Sequence, residues 1–181
     1  MIVSEKLKGS YEALKGTFGY TNKMAAPKIT KVLVSVGTGK RARFDKSVHD
    51  LVADRLGRIT GQKSSPRSAK KSIAGFKIRQ GDQVGQVVTL RGKKMEEFLE
   101  KLIHISLPRT KDFRGLNRTA VDSMGNLTIG IREHSIFPEC AEEELKDVFG
   151  LAINVVTTAK TRDEAMAFFD YLGVPFKKEA K

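Results

Sequence analysis

Residues 27–42 read PKITKVLVSVGTGKRA, and how they are read decides the fold. Ile29 to Val36 is dense in β-branched residues and predicts a strand, broken by Gly37, Thr38 and Gly39. A strand running into G-x-G-x-x-A is also how a dinucleotide-binding unit begins. That unit needs a helix and then a second parallel strand, buried on both faces and therefore apolar. A helix does follow, with Val48, Leu51, Val52 and Leu56 on one stripe, Asp45 as its candidate cap and Gly57 as its candidate stop. After it comes RITGQKSSPRS, residues 58–68, which is too polar for a buried strand. In GTGK, Lys40 is followed by Arg41 and not by the Ser or Thr of a phosphate loop. A nucleotide-dependent enzyme using the GTGKRA turn is therefore only the alternative reading.

The rest of the chain mixes helices and strands without βαβ alternation. Leu7, Tyr11, Leu14 and Phe18 predict a helix over 4–18, stopped at Gly19. SSPRSAKKS, residues 64–72, lacks apolar periodicity and reads as loop. Residues 76–79 and 84–92 alternate weakly and could pair as a hairpin around the QGDQ tip. Met95, Phe98, Leu99, Leu102 and Ile103 mark an amphipathic helix closed before Pro108. Residues 107–126 read as a long polar loop. Strands are expected in NLTIGIRE and LAINVVTTA, and a short helix within 137–150. Thr161 with Glu164 predicts a capping box for a last helix that turns Ala165, Phe168, Phe169 and Leu172 inward and ends at Gly173. The fold class this implies is α+β: a single domain over 1–181, a mainly antiparallel sheet, helices on one face, the other face open.

The 181 residues carry a formal net charge of +12. From Arg55 to Gly81 there are eight Lys or Arg and no acid, whereas Glu139, Glu142, Glu143, Glu144 and Asp147 cluster later. Such asymmetry marks a binding face for a polyanion, with nucleic acid first, an acidic membrane surface second, and a generic basic module for membranes or DNA the last-ranked reading. No amphipathic basic helix and no apolar stretch of spanning length stands out, so a soluble intracellular protein without membrane partners is expected. One cysteine, Cys140, rules out an internal disulfide and reads as a small buried hydrophobe. His49, His104 and His134 lack metal-ligand spacing, the first two reading as surface or interfacial imidazoles. The consecutive acids 142–144 point around a helix and form no acid/base pair.

Cations attract phosphates without regard to sequence. Discrimination falls to small polar side chains on a rigid scaffold, because A-form RNA hides its major groove. Ser35, Gln62 and Thr89 stand beside basic residues and suit that task, or they are ordinary solvent-facing residues. IAGFKIRQG, residues 73–81, has two readings: an arm reaching a nucleic-acid backbone, or a plain hairpin with Phe76 in the core.

KITKVLVSVGTG, ITGQK, AKKSIAGFKIRQG, VTLRG, LPRTKDFRG, LTIGIRE, IFPE, VVTTA and LGVPF occur in this order. Together they resemble the bacterial type of the universal ribosomal protein L5 family, whose members bind 5S ribosomal RNA in the large subunit. The resemblance runs from Met1 to about Phe176. It implies a non-enzymatic protein of the cytoplasmic ribosome, monomeric within it and without cofactor or metal. The basic stretch 55–81 is then the RNA-binding segment, and 5S RNA contacts fall on Ser35, Gln62, Lys63, Arg67, Lys70, Lys71, Thr89 and Arg91. Gly75, Phe76, Lys77, Ile78 and Arg79 match the arm that extends toward the peptidyl-site (P-site) tRNA. Arg109, Lys111 and Arg114, in an inter-subunit loop over 106–125, match the part facing a protein of the small-subunit head. The 23S-type RNA and neighbouring large-subunit proteins complete the implied partners. Two departures weaken single contacts. Ser35 replaces the family's usual Asn and lacks its two-pronged amide. Thr110 and Lys111 replace an aliphatic and an Arg, and a Lys forgoes bidentate phosphate pairing.

Overall fold

The computed structural model describes residues 2–41, 45, 47–140 and 148–177, with the side chain of residue 2 excepted. Among them are α1 (Ile2–Phe18), β1 (Ile29–Gly37), α2 (Val48–Thr60), β2 (Ser65–Ser68) and β3 (Gln83–Leu90). Then follow α3 (Gly92–Lys101), β4 (Leu127–Ile131), β5 (Leu151–Thr157) and α4 (Arg162–Leu172). The strands form one open antiparallel sheet in the order β2-β3-β1-β5-β4, so the fold is α+β as expected. The chain gathers into two compact units, Met1–Val32 with Arg91–Ile129 and Asn154–Lys181, and Leu33–Leu90 with Gly130–Ile153.

In the first unit α1 packs on α3 and α4. Leu127 and Ile129 of β4 are buried while Thr128 between them is exposed, the alternation of a strand with one covered face. α4 is built as its sequence predicts. Thr161 Oγ1 accepts from the Glu164 amide, Gly173 takes the left-handed C-terminal position at φ +91°, and Phe168 and Phe169 are fully buried. Burying each ring contributes roughly 1.5–3 kcal/mol. The capping box is modified, because Glu164 Oε2 accepts from the amide of Lys160 at 2.7 Å and not from that of Thr161.

Glu164 is 7% exposed, and its other oxygen accepts the hydroxyl of Tyr20. Burial, then that hydrogen bond, then the carboxylate charge push the Tyr20 hydroxyl well above its ordinary range. A raised folded-state value stabilises the fold fully below the unfolded value near 10 and ceases to do so as pH climbs past it. Tyr20→Phe should therefore cost about 1.5–3 kcal/mol at pH 7, the worth of a hydrogen bond to a charged acceptor. Urea unfolding of both proteins at pH 7 and above pH 10 checks this. The gap should narrow at high pH, and a gap constant with pH would overturn the assignment.

In the second unit α2 packs on β3, and its Val52, Leu56 and Ile59 are buried. This helix passes the expected stop at Gly57, because Ile59 and Thr60 prolong its buried stripe. Gly61, at φ +64°, ends it by donating to Gly57 O. Ser47 and not Asp45 occupies the N-cap, although Asp45 Oδ1 accepts from the Ser47 amide at 2.8 Å.

Two further expectations are corrected. Ser65–Ser68 is an edge strand and not loop, pairing antiparallel with β3 in the register Ser65↔Val87, Pro66↔Gln86, Arg67↔Gly85 and Ser68↔Gln83. All four residues are exposed, so no apolar alternation announces the strand, and Pro66 is tolerated where no ladder donor is needed. The hairpin of 76–79 with 84–92 does not form, since β3 is already paired with β2 and Ile78 pairs with Ile73. α3 continues beyond Lys101 as a π-turn, Leu102–Ser106, which keeps Leu102 and Ile103 buried before Pro108. Residues 138–140 form a 3-10 turn. The remainder of the short helix expected there, with Glu142, Glu143, Glu144 and Asp147, lies outside the described residues. No helix among the described residues is long and apolar enough to cross a membrane.

Candidate nucleic-acid interface

The turn after α2 places Gln62. Thr60 Oγ1 donates to Leu56 O at 2.6 Å and lies 3.1 Å from Gln62 O, fixing the chain where it leaves the helix. Gln62 Nε2 then donates to the Thr89 carbonyl at 3.1 Å. Two of the predicted polar contacts are thereby joined, half-buried, at one end of β3. Thr89 stands on the strand face that carries Gly85, where a Cβ would come within 2.8 Å of Val36 O. Ser35, half-buried on β1, donates a long 3.4 Å hydrogen bond to Ala152 O. Its one hydroxyl proton is thus turned into the sheet, which leaves it chiefly an acceptor for an outside ligand.

Lys63, Arg67, Lys70 and Lys71 are all exposed on or beside β2, and no carboxylate among the described residues pairs with them. A register irregularity between Arg67 and Ser68 interrupts the β2–β3 ladder at this point. Arg91 belongs to the other unit, exposed at the N-cap of α3.

The segment 73–79 closes on itself. The Ile73 amide donates to Ile78 O at 2.9 Å, a 3-10 turn spans Ala74–Phe76, and Lys77 sits in the left-handed region at φ +49°. Its base is tied by Gly81 N to Ala69 O at 3.0 Å and by Gln80 N to Ser72 Oγ at 2.9 Å. Phe76 is 60% exposed and Ile73 48%, so of the two readings of IAGFKIRQG the core hairpin is excluded. Lys77 and Arg79 are exposed beside them.

Arg109, Lys111 and Arg114 are exposed in the first unit on successive turns after the π-turn. Thr110 N donates to Leu107 O and Phe113 N to Thr110 O. The loop is anchored where Leu116 N donates to Pro175 O at 2.7 Å and Lys177 N to Leu116 O at 2.8 Å.

In the glycine-rich turn 37–39 the amides of Thr38 and Gly39 are engaged within the fold and not held open for a phosphate. Thr38 N and Gly39 N both donate to Val84 O, at 2.9 and 3.1 Å. Thr38 is buried and its hydroxyl meets His49 Nδ1 at 3.0 Å, while His49 O accepts from Gln86 Nε2 at 3.4 Å. This polar cluster, which no sequence periodicity announces, makes the turn a structural joint between β1 and β3. Among the described residues no three or more His, Cys, Asp or Glu gather as a metal site. His134 is buried and stacked on Phe149 at 4.1 Å, and burial pushes the Cys140 thiol up, away from the reactive thiolate.

Comparison with known proteins agrees with the residues that the resemblance rests on. Residues 22–79 match the family model described as Ribosomal protein L5, and residues 83–176 match the model that describes the C-terminus of the same ribosomal family. A protein named large ribosomal subunit protein uL5 from Carboxydothermus hydrogenoformans is 43% identical over 96% of this chain and 99% of its own. Proteins of the same name from Rubrobacter xylanophilus and Limosilactobacillus fermentum are 47% and 44% identical, over 91% and 97% of this chain and 91% and 100% of their own. Two family models that together span residues 22–176 but for 80–82, and relatives matched nearly end to end, place this chain in the ribosomal protein L5 family.

Proposed function

We propose that this protein is a constituent of the large ribosomal subunit that binds 5S ribosomal RNA, mainly through residues of its second unit. The family is one of ribosomal proteins and not of enzymes. The observation that carries the RNA-binding reading is the exposed cation set Lys63, Arg67, Lys70 and Lys71, unpaired with any described carboxylate and running along β2 from Lys63, next to the Gln62–Thr89 contact, to Lys70 and Lys71 beyond its far end. The lysines and Arg67 supply phosphate attraction. Gln62, held through one N–H, keeps its amide oxygen and second N–H for ribose or base edges. Ser35 adds an acceptor, and Arg91 a further phosphate contact. The exposed arm of Gly75, Phe76, Lys77, Ile78 and Arg79 reaches the P-site tRNA: Phe76 offers a stacking face and the cations meet its backbone. Arg109, Lys111 and Arg114 face a protein of the small-subunit head. The protein is a monomer within the cytoplasmic ribosome and also touches 23S-type RNA and neighbouring large-subunit proteins.

Binding of the full chain to 5S RNA and to an unrelated hairpin RNA of equal length, at one salt concentration, tests this. The expected result is clear preference for 5S RNA. A variant lacking residues 75–81 should keep that affinity within about twofold while ribosomes carrying it translate poorly. Equal affinity for the hairpin would overturn specific recognition, and loss of 5S binding on the deletion would overturn the separate role of the arm.

A further inference from the structure

We propose that a groove in the first unit, walled by α1, the 3-10 turn Lys23–Ala25 and the start of α3, docks an acidic protein segment that inserts a large apolar side chain. The inference stands apart from the RNA-binding reading, because none of the residues assigned to RNA lines this groove. Its apolar lining includes Leu7, Tyr11, Met95 and the exposed Met24, and it has a volume of about 340 Å³, within the range of pockets that take a ligand-sized group. Its rim carries Lys8, Lys23 and Lys28, all exposed, against a single carboxylate among its lining residues, Glu96.

One feature points to a carboxylate on the visitor and a second to its apolar side chain. Lys28 Nζ finds Met24 Sδ at 3.3 Å, and a thioether is a weak acceptor. An incoming carboxylate replaces that contact with a charge-assisted hydrogen bond, about twice as strong as a neutral one. Met24 is 75% exposed, yet its backbone is pinned, its amide donating to Asn22 Oδ1 at 2.9 Å. The position is fixed while the unbranched side chain adapts, as methionine does on surfaces that accept varied apolar partners.

Nucleic acid fits this groove less well. Single-stranded binding sites offer bases open aromatic faces. Lys15 Nζ lies over the Tyr11 ring, 5.6 Å from its centre, and the other apolar lining groups are aliphatic or thioether. Apolar lining and cationic rim together select a segment in which Asp or Glu flank Phe or Leu.

The test uses amide chemical shifts of the full chain. The probe is a synthetic 12-residue peptide of Asp, Glu and Ser with a central Phe-Leu pair. The amides of residues 7, 8, 24 and 28 should shift, with micromolar affinity. Replacing Phe-Leu by Ala-Ala, or introducing Lys8→Glu, Lys23→Glu and Lys28→Glu together, should each weaken binding by about tenfold or more. Three outcomes overturn the proposal: those amides unmoved at millimolar peptide, the Ala-Ala peptide binding equally well, or an RNA hairpin shifting the same amides with higher affinity than the peptide.

Discussion

Gly115→Ala is expected to destabilise the protein by about 3 kcal/mol. Two costs combine. Gly115 sits at φ +98°, outside the region open to residues with a Cβ. A Cβ there would also stand 2.7 Å from Lys177 N, 2.8 Å from Phe176 C and 3.0 Å from Phe176 O. Those are backbone atoms, and they cannot yield cheaply. Leu116 and Phe176 form a parallel bridge held by the Leu116 N to Pro175 O and Lys177 N to Leu116 O hydrogen bonds, and Arg118 lies over the Phe176 ring at 5.9 Å. The methyl must either break this bridge or distort the turn that ends the Arg109–Arg114 loop. Gly130→Ala is the control, since Gly130 is exposed on β4, has ordinary φ and meets nothing within 4 Å. It should leave stability unchanged or raise it by up to about 1 kcal/mol. Urea unfolding of the three proteins measures both, and hydrogen exchange at the amides of Leu116 and Lys177 locates the damage. Were Gly115→Ala as stable as Gly130→Ala, the close approach described here would be wrong.

How much of this was legible in the sequence depends on whether an element speaks through side-chain periodicity. α4 was, from its Thr161 cap to Gly173, because the apolar stripe and both caps are written in side chains. β1, β4 and β5 were legible for the same reason, each burying alternate residues. β2 was not. It is an exposed edge held by backbone pairing to β3, and pairing leaves no mark on SPRS. Missing it misplaced the arm as well, for once β2 takes β3, Ile78 must turn back to Ile73. Gly57 misled because a glycine inside a helix costs only about 1 kcal/mol, less than Ile59 recovers by burial. At the candidate interface, Ser35, Gln62 and Thr89 stand out in the sequence as small polar residues beside basic ones. What Gln62 touches does not, since its bond to Thr89 O depends on a left-handed Gly61 that only the folded backbone displays.

Lys63, Arg67, Lys70 and Lys71 replaced together by Ala should lower 5S RNA affinity roughly 100-fold near 0.1 M salt, and should change how binding responds to salt. Each phosphate contact releases condensed counterions, contributing about 0.7 to 0.9 to the slope of log affinity against log salt. If all four side chains touch phosphates, the variant's slope should be shallower by about 3. The substitutions leave the fold intact, because the four side chains are exposed and engage no carboxylate among the described residues. Gln62→Ala with Thr89→Ala provides the contrast. Gln62 is proposed to read ribose or base edges, and the Thr89 hydroxyl to add a further uncharged contact, so affinity for 5S RNA should fall while the slope stays that of the unaltered protein. Removing Gln62 frees Thr89 O at the same time, which is why circular dichroism and melting of this pair must accompany the binding data. The two variants separate attraction from recognition: one loses slope, the other loses preference for 5S RNA over an unrelated hairpin. An unchanged slope in the fourfold variant would mean that the exposed cations beside β2 do not lie on the RNA backbone, and the interface would have to be sought on another surface of the protein.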